Sequence, residues 1–286
     1  MNLIKLVFLI AANSRSYRMN REMIGYAVED KYVLSSSEAE SFSRATGDSR
    51  MQKEGFVPPF IFARIFCEPI KKILFCPQLK INLLRMVHGN ISVKWHHPIV
   101  SGTKLRTVVT VEDIVNTSAG EILSLSGKIF EGETLVVEVI SGFPVRGKRQ
   151  GQPREKLGEG ERKIISTIEL GTEKNQSVEY AYASGDMNPI HRRVLFARLA
   201  GFPRPIMQGM CVMAMCENHL VNKLTSGTNL STNLMSGRFS YTVFPGERLV
   251  IEVYAPYGTG FEKEYQFAVF NERGREVIKN GRIVFG

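Results

Sequence analysis

An internal repeat constrains this chain more than any other feature. The stretch Phe42-Ser-Arg-Ala-Thr-Gly-Asp48 matches Tyr180-Ala-Tyr-Ala-Ser-Gly-Asp186. Downstream of each lies a proline and a short apolar run of helical character, Pro59 to Phe66 in the first copy and Pro205 to Met215 in the second. Strand-like sequence follows in both. Val87 to His96 leads through Pro98 and Gly102 to Leu105–Glu112, and Met235 to Val243 leads through Pro245 and Gly246 to Leu249–Tyr254. Two further strands close each copy, at Glu121–Phe130 and Glu133–Val139, then at Glu264–Phe270 and Glu276–Val284. Thr, Val, Ile and aromatic residues at period two support these strands. The matched order makes duplication a stronger reading than coincidence.

Residues 146–160 lie between the copies. They are polar, rich in glycine and without an apolar period, so they read as a linker. Residues 1–145 and 161–286 are then two modules, each a strand, a helical section and several antiparallel strands. That order predicts the α+β class, with a long sheet packed on a central helix.

Composition sets the remaining bounds. With 286 residues, 43% of them hydrophobic, the chain can bury a sizeable core. A net charge of +9 suits an acidic partner, such as a membrane surface or a phosphorylated small molecule, and also suits a plain solvated surface. No nucleic-acid motif accompanies the charge, so nucleic acid is not expected as a partner. Cys67, Cys76, Cys211 and Cys216 form no Cys-x-x-Cys, and adjacent His96 and His97 would point to opposite faces of a strand. No metal is expected, and a reducing cytoplasm is the expected setting. Leu6 to Ala12 is apolar and follows Lys5, but is too short to cross a bilayer. It reads as a docked terminal segment, not a secretion signal or a stable membrane insertion.

The chemistry concentrates between Tyr180 and Gly209. Pro189 disfavours a helical Asn188 and suits a first helical position. Asn188 is therefore the predicted N-cap of a helix over roughly Ile190–Ala200, which Gly201 can end. Asp186 falls on the turn before it and His191 in its first turn. On one regular helix an Asp and a His at this spacing would diverge by about 140°. The turn removes that obstacle and can aim both at one point. A carboxylate and an imidazole converging on one water can move protons near neutral pH. A second helix, over about Gln208–Leu220, would present the Gly209 N–H at its N-terminus, where an oxyanion is favoured. Together these groups suit chemistry alpha and beta to a thioester carbonyl.

Residues Tyr180 to Met210 resemble the MaoC-like dehydratases, the hydratase-2 group. That family's pattern is an aromatic residue, small-Gly-Asp-x-Asn-Pro-aliphatic-His, Gly-Phe, then Pro-Ile-x-x-Gly. Here it is met by Tyr182, Ser184 to His191, Gly201-Phe202, and Pro205 to Gly209. The repeat extends the resemblance to double-hotdog members over about residues 25–286. The resemblance implies two tandem antiparallel sheets, each wrapping a central helix. It implies reversible conversion of trans-2-enoyl thioesters to (R)-3-hydroxyacyl thioesters, carried on coenzyme A or acyl carrier protein, in fatty-acid or related acyl metabolism. No metal or redox cofactor is implied, and a homodimer of such chains is expected. Asp186 and His191 would hold and polarise the water, Asn188 would support their turn, and the Gly209 N–H would bind the thioester oxygen. Gln208, Pro205 and Arg204 would complete the substrate-binding surroundings. Gln208 departs from the family, which usually has His before that glycine.

The first copy keeps Asp48 but has Ser49-Arg50-Met51, which implies lost catalysis. By the same resemblance that half would shape a pocket for the acyl tail, with Phe56, Phe60, Phe62, Phe66, Leu83 and Leu84 as liners; ordinary core packing is the other reading. His88 reads as an interface histidine, Trp95 as packing, and the Met and Cys residues of 207–216 as helix core. Glu217 would need a partner if buried. Arg192, Arg193, Arg198 and Arg204 flank the site, either as a solvated face or as holders of phosphates. Thioester hydrolysis and a non-catalytic acyl-thioester-binding or partner subunit are the competing functions.

Overall fold

The computed structural model describes residues 18–50, 57–83, 85–146, 163–225, 231–255 and 263–286. Period-two patterning builds its sheet. The first half contributes β1 (Ala27–Val33), β2 (Asn90–Trp95), β3 (Lys104–Thr117), β4 (Gly120–Glu131) and β5 (Thr134–Arg146). Along β3, Leu105, Thr107, Val109 and Val111 are buried while the residues between them are not, as alternating faces require. The second half contributes β6 (Ile164–Gly171), β7 (Thr232–Phe239), β8 (Arg248–Tyr254), β9 (Lys263–Asn271) and β10 (Glu276–Phe285).

The spatial order is β1-β3-β4-β5-β2-β7-β10-β9-β8-β6, so the second half mirrors the first. β2 and β7 pair antiparallel from Asn90↔Arg238 to Lys94↔Leu234. The two sheets expected in tandem are thus joined edge to edge into one ten-stranded sheet. Pairing two edges satisfies backbone groups that would otherwise be open to other chains. β7 stops before Tyr241-Thr242-Val243, which has strand composition but leads directly into the Pro245-Gly246 turn.

The helices break the symmetry. α1 (Ser36–Thr46) and α4 (Gln176–Ser184) are equivalent in the repeat and pack together. The first-half run after Pro59 is not one helix. It divides into a 3-10 turn at Pro59–Ile61, α2 (Phe62–Ile65) and α3 (Cys67–Leu74). After α5 (Val194–Leu199), α6 (Gly209–Leu224) forms the central helix, longer than the sequence suggested. Its residues from Cys211 to Asn218 are all buried, as befits a helix enclosed on every side. Among the described residues the first half has no helix of comparable length.

The aromatic residues of that half pack on one another. Phe60 and Phe62 lie 5.3 Å apart and reach Trp95 at 5.4 and 6.1 Å, while Trp95 Nε1 donates to the Pro59 carbonyl at 3.0 Å. Phe66 lies against Gly127, where a Cβ would stand 2.9 Å from the ring. Phe60, Phe62 and Phe66 are therefore core. Phe56, Leu84, residues 6–12 and linker residues 147–160 fall outside the described residues, and Arg146 belongs to β5.

Candidate active site

The turn after α4 is held by its own short-range hydrogen bonds. Gly185 takes φ +76° and caps the helix in the left-handed region. Ser184 Oγ donates to the Tyr180 carbonyl at 2.7 Å and accepts the Asp186 N–H at 3.2 Å. Asp186 Oδ1 accepts the Asn188 N–H at 3.2 Å, and Asn188 Oδ1 accepts the Ile190 N–H at 3.3 Å. Asn188 is thus an N-cap, but of a 3-10 turn at Pro189–His191, while α5 begins only at Val194. The tighter coil replaces the single helix expected over 190–200 and sets the direction of His191.

Asp186 and His191 meet. His191 is buried, its Nδ1–H donating to the Ile206 carbonyl at 2.9 Å. A carbonyl can only accept, so the proton sits on Nδ1 and Nε2 of the neutral ring is an acceptor. That Nε2 faces Asp186 Oδ2 at 3.6 Å, too far for a direct hydrogen bond. The Asp186 side chain is 44% exposed. Two acceptors therefore flank a gap reachable from solvent on the carboxylate side.

The same Ile206 carbonyl leads to the helix N-terminus. Met207 N–H donates to the Val243 carbonyl at 2.9 Å, and α6 begins two residues later. The Gly209 N–H has no acceptor among the described residues. A Cβ there would stand 2.9 Å from the Phe239 ring, so only glycine permits this approach. Gln208 is buried and turned away, its Nε2 donating to the Ser177 carbonyl on α4 at 2.9 Å. It ties the two helices together instead of extending a free amide to substrate. Pro205 lies in the connecting loop. Arg204 also turns aside, donating from Nη1 to the Pro245 carbonyl at 2.9 Å with its guanidinium over Phe244. Arg192 lies over the exposed ring of Tyr182, and Arg193 and Arg198 are exposed.

The first half supplies groups that the sequence did not nominate. A Cβ on Gly185 would come within 2.7 Å of Arg64 Nη1 and 3.0 Å of Cys67 Sγ. Arg64 is held from behind, with Nε 3.1 Å from the Tyr32 hydroxyl and Nη2 2.9 Å from Glu38 Oε1. Burial pushes the Cys67 thiol up; the Lys71 ammonium opposes that shift and the Asp186 carboxylate adds to it. Tyr180 is fully buried, with no partner for its hydroxyl among the described residues, and burial raises that phenol well above its usual range. A lone arginine inside the apolar run 59–66 was the one available signal. His88 lies at the junction of the halves, stacked on Phe143 at 4.8 Å and near Phe239 at 4.9 Å. Burial pushes its imidazole down to about 4, against a hydrogen bond to the Asn90 backbone, and so keeps it neutral near pH 7.

The first copy of the turn is closed. Arg50 N–H donates to Asp48 Oδ1 at 3.0 Å, as Asn188 does to Asp186, but the Arg50 guanidinium also takes both Asp48 oxygens at 2.9 and 2.6 Å. It then reaches Glu217 on α6 at 2.5 Å, whose other oxygen accepts from Thr232 Oγ1 at 2.6 Å. This is the partner that a buried Glu217 required.

The chain is similar to known proteins in both halves. A model of the MaoC like domain matches residues 153–267, and one of the FAS1-like dehydratase domain region matches residues 22–138. The 3-hydroxyacyl-thioester dehydratase Y of Mycobacterium tuberculosis is 30% identical over 198 residues, spanning 63% of this chain and 68% of that protein. The peroxisomal enoyl-CoA hydratase 2 of Arabidopsis thaliana is 29% identical over 219 residues, spanning 71% and 69%. The crystal structure of a MaoC-like dehydratase from Phytophthora capsici matches with a TM-score of 0.76 at 22% identity, covering 93% of this chain and 98% of that one, which is a likeness of fold. With a dehydratase-type region matched in each half and a relative at this identity, the chain belongs to the MaoC-like dehydratase family and folds as a double hotdog.

Proposed function

We propose that this chain catalyses the reversible addition of water to trans-2-enoyl thioesters, giving (R)-3-hydroxyacyl thioesters, with Asp186 and His191 as the acid–base pair. The observation that carries this reading is the 3.6 Å gap between His191 Nε2 and Asp186 Oδ2, both acceptors. A water between them donates one hydrogen to each and turns a lone pair toward C3. As the O–C3 bond forms, one water proton passes to the pair and the C2–C3 π electrons move onto the thioester oxygen. The Gly209 N–H, at a helix N-terminus, stabilises that oxyanion. A proton returned from the pair to C2 completes hydration, and the reverse sequence is dehydration. Asn188 holds Asp186 through its N–H, and Pro205 shapes the loop that brings Gly209 to the site.

No oxidation state changes overall, so the reaction needs no redox cofactor, and the acid–base pair with the Gly209 N–H supplies the chemistry without calling on a metal. The acyl group is carried on coenzyme A or on a carrier protein, within fatty-acid or related acyl metabolism. Relatives named for dehydration and for hydration support one reaction read in two directions. All four cysteines are free thiols, which supports a reducing, cytoplasmic setting. Among the described residues no helix is long and apolar enough to cross a membrane. A homodimer is part of this reading, and sedimentation showing only a 32.2 kDa species would remove it.

Loss of the conjugated enoyl-thioester absorbance tests the reaction. Asp186→Asn and His191→Ala are expected to lower kcat by roughly 10²–10⁴ each. Release of free thiol by the wild-type protein would instead identify a thioesterase, and acyl-thioester binding without turnover a non-catalytic subunit; either result overturns the proposal.

A further inference from the structure

The segment that follows Asp186 is charged with one sign only. Residues 187–216 include Arg192, Arg193, Arg198 and Arg204 and no Asp or Glu. Among the described residues, no carboxylate forms an ion pair with any of the four. Asp186 faces His191 instead, and Glu179 on α4 accepts from Asn175 Nδ2. α5 adds an apolar face to this charge. Its one buried residue, Ala197, fixes the inner side of the helix. Leu195 and Leu199 stand two residues to either side of it, about 160° away on a regular helix, so both project outward. They are 67% and 74% exposed. Val194 is exposed beside them, as are Met187 on the turn and Tyr182 on α4. A surface helix ordinarily turns its apolar stripe inward. Here the outermost side is aliphatic.

Charge and apolar surface form one lip beside the proposed acid–base pair. Met187 follows Asp186 and Arg192 follows His191 in the chain. The Arg192 guanidinium lies 5.6 Å from the Tyr182 ring centroid, which joins the end of α4 to the segment leading into α5. The Arg193 carbonyl accepts the Ala197 N–H at 3.1 Å and so starts that helix. Paired exposed leucines with flanking cations suit a partner that is apolar inside and anionic at its face. A second copy of this chain does not meet that description. Across a two-fold contact the same patch meets itself, so Arg193 and Arg198 would face their own copies with no carboxylate between them. An acidic protein would have to bring a groove shaped to Leu195 and Leu199. An anionic bilayer needs no such match. It takes projecting aliphatic side chains of any outline, while arginines keep their guanidinium groups among the headgroup phosphates. Tyrosine favours the same interfacial depth.

We propose that the outer side of α5, with Tyr182, Arg192, Arg193 and Arg198, docks this chain peripherally on an anionic phospholipid surface. Leu195 and Leu199 enter the boundary between headgroups and acyl chains, and the arginines hold lipid phosphates. No helix crosses the bilayer in this arrangement. The lip borders Asp186, so the docked chain opens its proposed site at the lipid surface. That consequence rests on the hydration reading; the docking itself does not.

Co-sedimentation of the full chain with vesicles is the direct test. Binding is expected to vesicles of equal phosphatidylcholine and phosphatidylglycerol, and about tenfold or more weaker binding to phosphatidylcholine alone. Raising salt from about 0.1 M to about 1 M should release the chain, because screening shortens the reach of the arginines. Arg193→Glu/Arg198→Glu and Leu195→Ser/Leu199→Ser should each weaken binding about tenfold or more. Arg21→Glu/Lys31→Glu makes the same change in net charge on the first half and should keep most of the binding. All these side chains are exposed, so thermal melts should be unchanged. Leu199→Ser alone, with a smaller loss, keeps the test valid if a double variant folds poorly. No binding to anionic vesicles, equal binding to both lipid compositions, or equal losses in the lip and first-half variants overturns the proposal. A dimer abolished by Leu195→Ser/Leu199→Ser would assign the face to a second copy and overturn it too. So would binding of apo acyl carrier protein with no vesicle binding, which assigns the face to an acidic protein. Vesicle binding by a chain without enoyl-thioester turnover would remove the hydration reading and keep the docking.

Discussion

The rings of Phe42 and Tyr180 pack at a tilt of 59° with centroids 5.4 Å apart, and the two residues hold the same place in the two copies of the repeat. The correspondence continues along both helices. Thr46 Oγ1 donates to the Phe42 carbonyl as Ser184 Oγ does to that of Tyr180. Gly47 and Gly185 both take positive φ, and Asp48 and Asp186 each accept the N–H two residues ahead. The copies diverge at the next step. Arg50 seals Asp48 to 4% exposure, whereas Asn188 has no cation to offer and Asp186 stays open.

Gly47→Ala and Gly185→Ala should separate strain from site geometry. Each forces a Cβ into the left-handed region, at a cost of about 1–2 kcal/mol. Gly47 faces open space, while Gly185 faces Arg64 Nη1 at 2.7 Å. Thermal melts should show both variants destabilised. Only Gly185→Ala should lose kcat, by roughly 10² if the turn shifts by an ångström. Equal kcat in the two variants would show that the Arg64 contact does not position the turn.

Arg50→Met should be among the most damaging changes outside the proposed site. It leaves the carboxylates of Asp48 and Glu217 buried without their cation. Burial opposes the Arg50 charge, but Glu217 and Asp48 outweigh that and hold it charged above its usual range. Breaking such a cluster costs about 3–5 kcal/mol. Urea midpoints should fall accordingly, and Glu217→Gln in the same chain should recover part of the loss.

Gln208→His should be tolerated. A histidine N–H can replace the Gln208 donor to the Ser177 carbonyl, keeping α6 tied to α4. Gln208→Leu removes that donor and should cost about 1 kcal/mol. Comparing kcat across the pair shows whether the tie or the amide itself matters; a large loss in Gln208→His would point to the amide.

Acid titration should expose Glu38. Burial raises its carboxyl, but hydrogen bonds from Tyr32, the Ser35 N–H and Arg64 prevail and bring it from 4.5 to about 2. A depressed value means that its stabilisation is complete above 4.5 and is lost as pH falls toward 2. Denaturation midpoints over that window should fall less steeply in Glu38→Gln than in the wild type. Parallel slopes would show that Glu38 is not the group responsible.

The repeat, the strand patterning and the Asp186–His191 turn were all legible in the sequence, because each depends on residues close together along the chain. Gly185, Asn188 and Pro189 encode their turn through hydrogen bonds spanning only a few residues. Period-two burial likewise follows from alternation alone. Tertiary structure decided the rest. It joined the half-sheets through β2 and β7, turned Gln208 inward, and brought Arg64 and Cys67 against Gly185. Each of these contacts joins residues whose separation along the chain carries no information about their distance in space. Which copy of the aspartate turn is open is set locally, by Arg50 in one and Asn188 in the other, while packing of the two halves adds the Glu217 carboxylate that holds Arg50 in place.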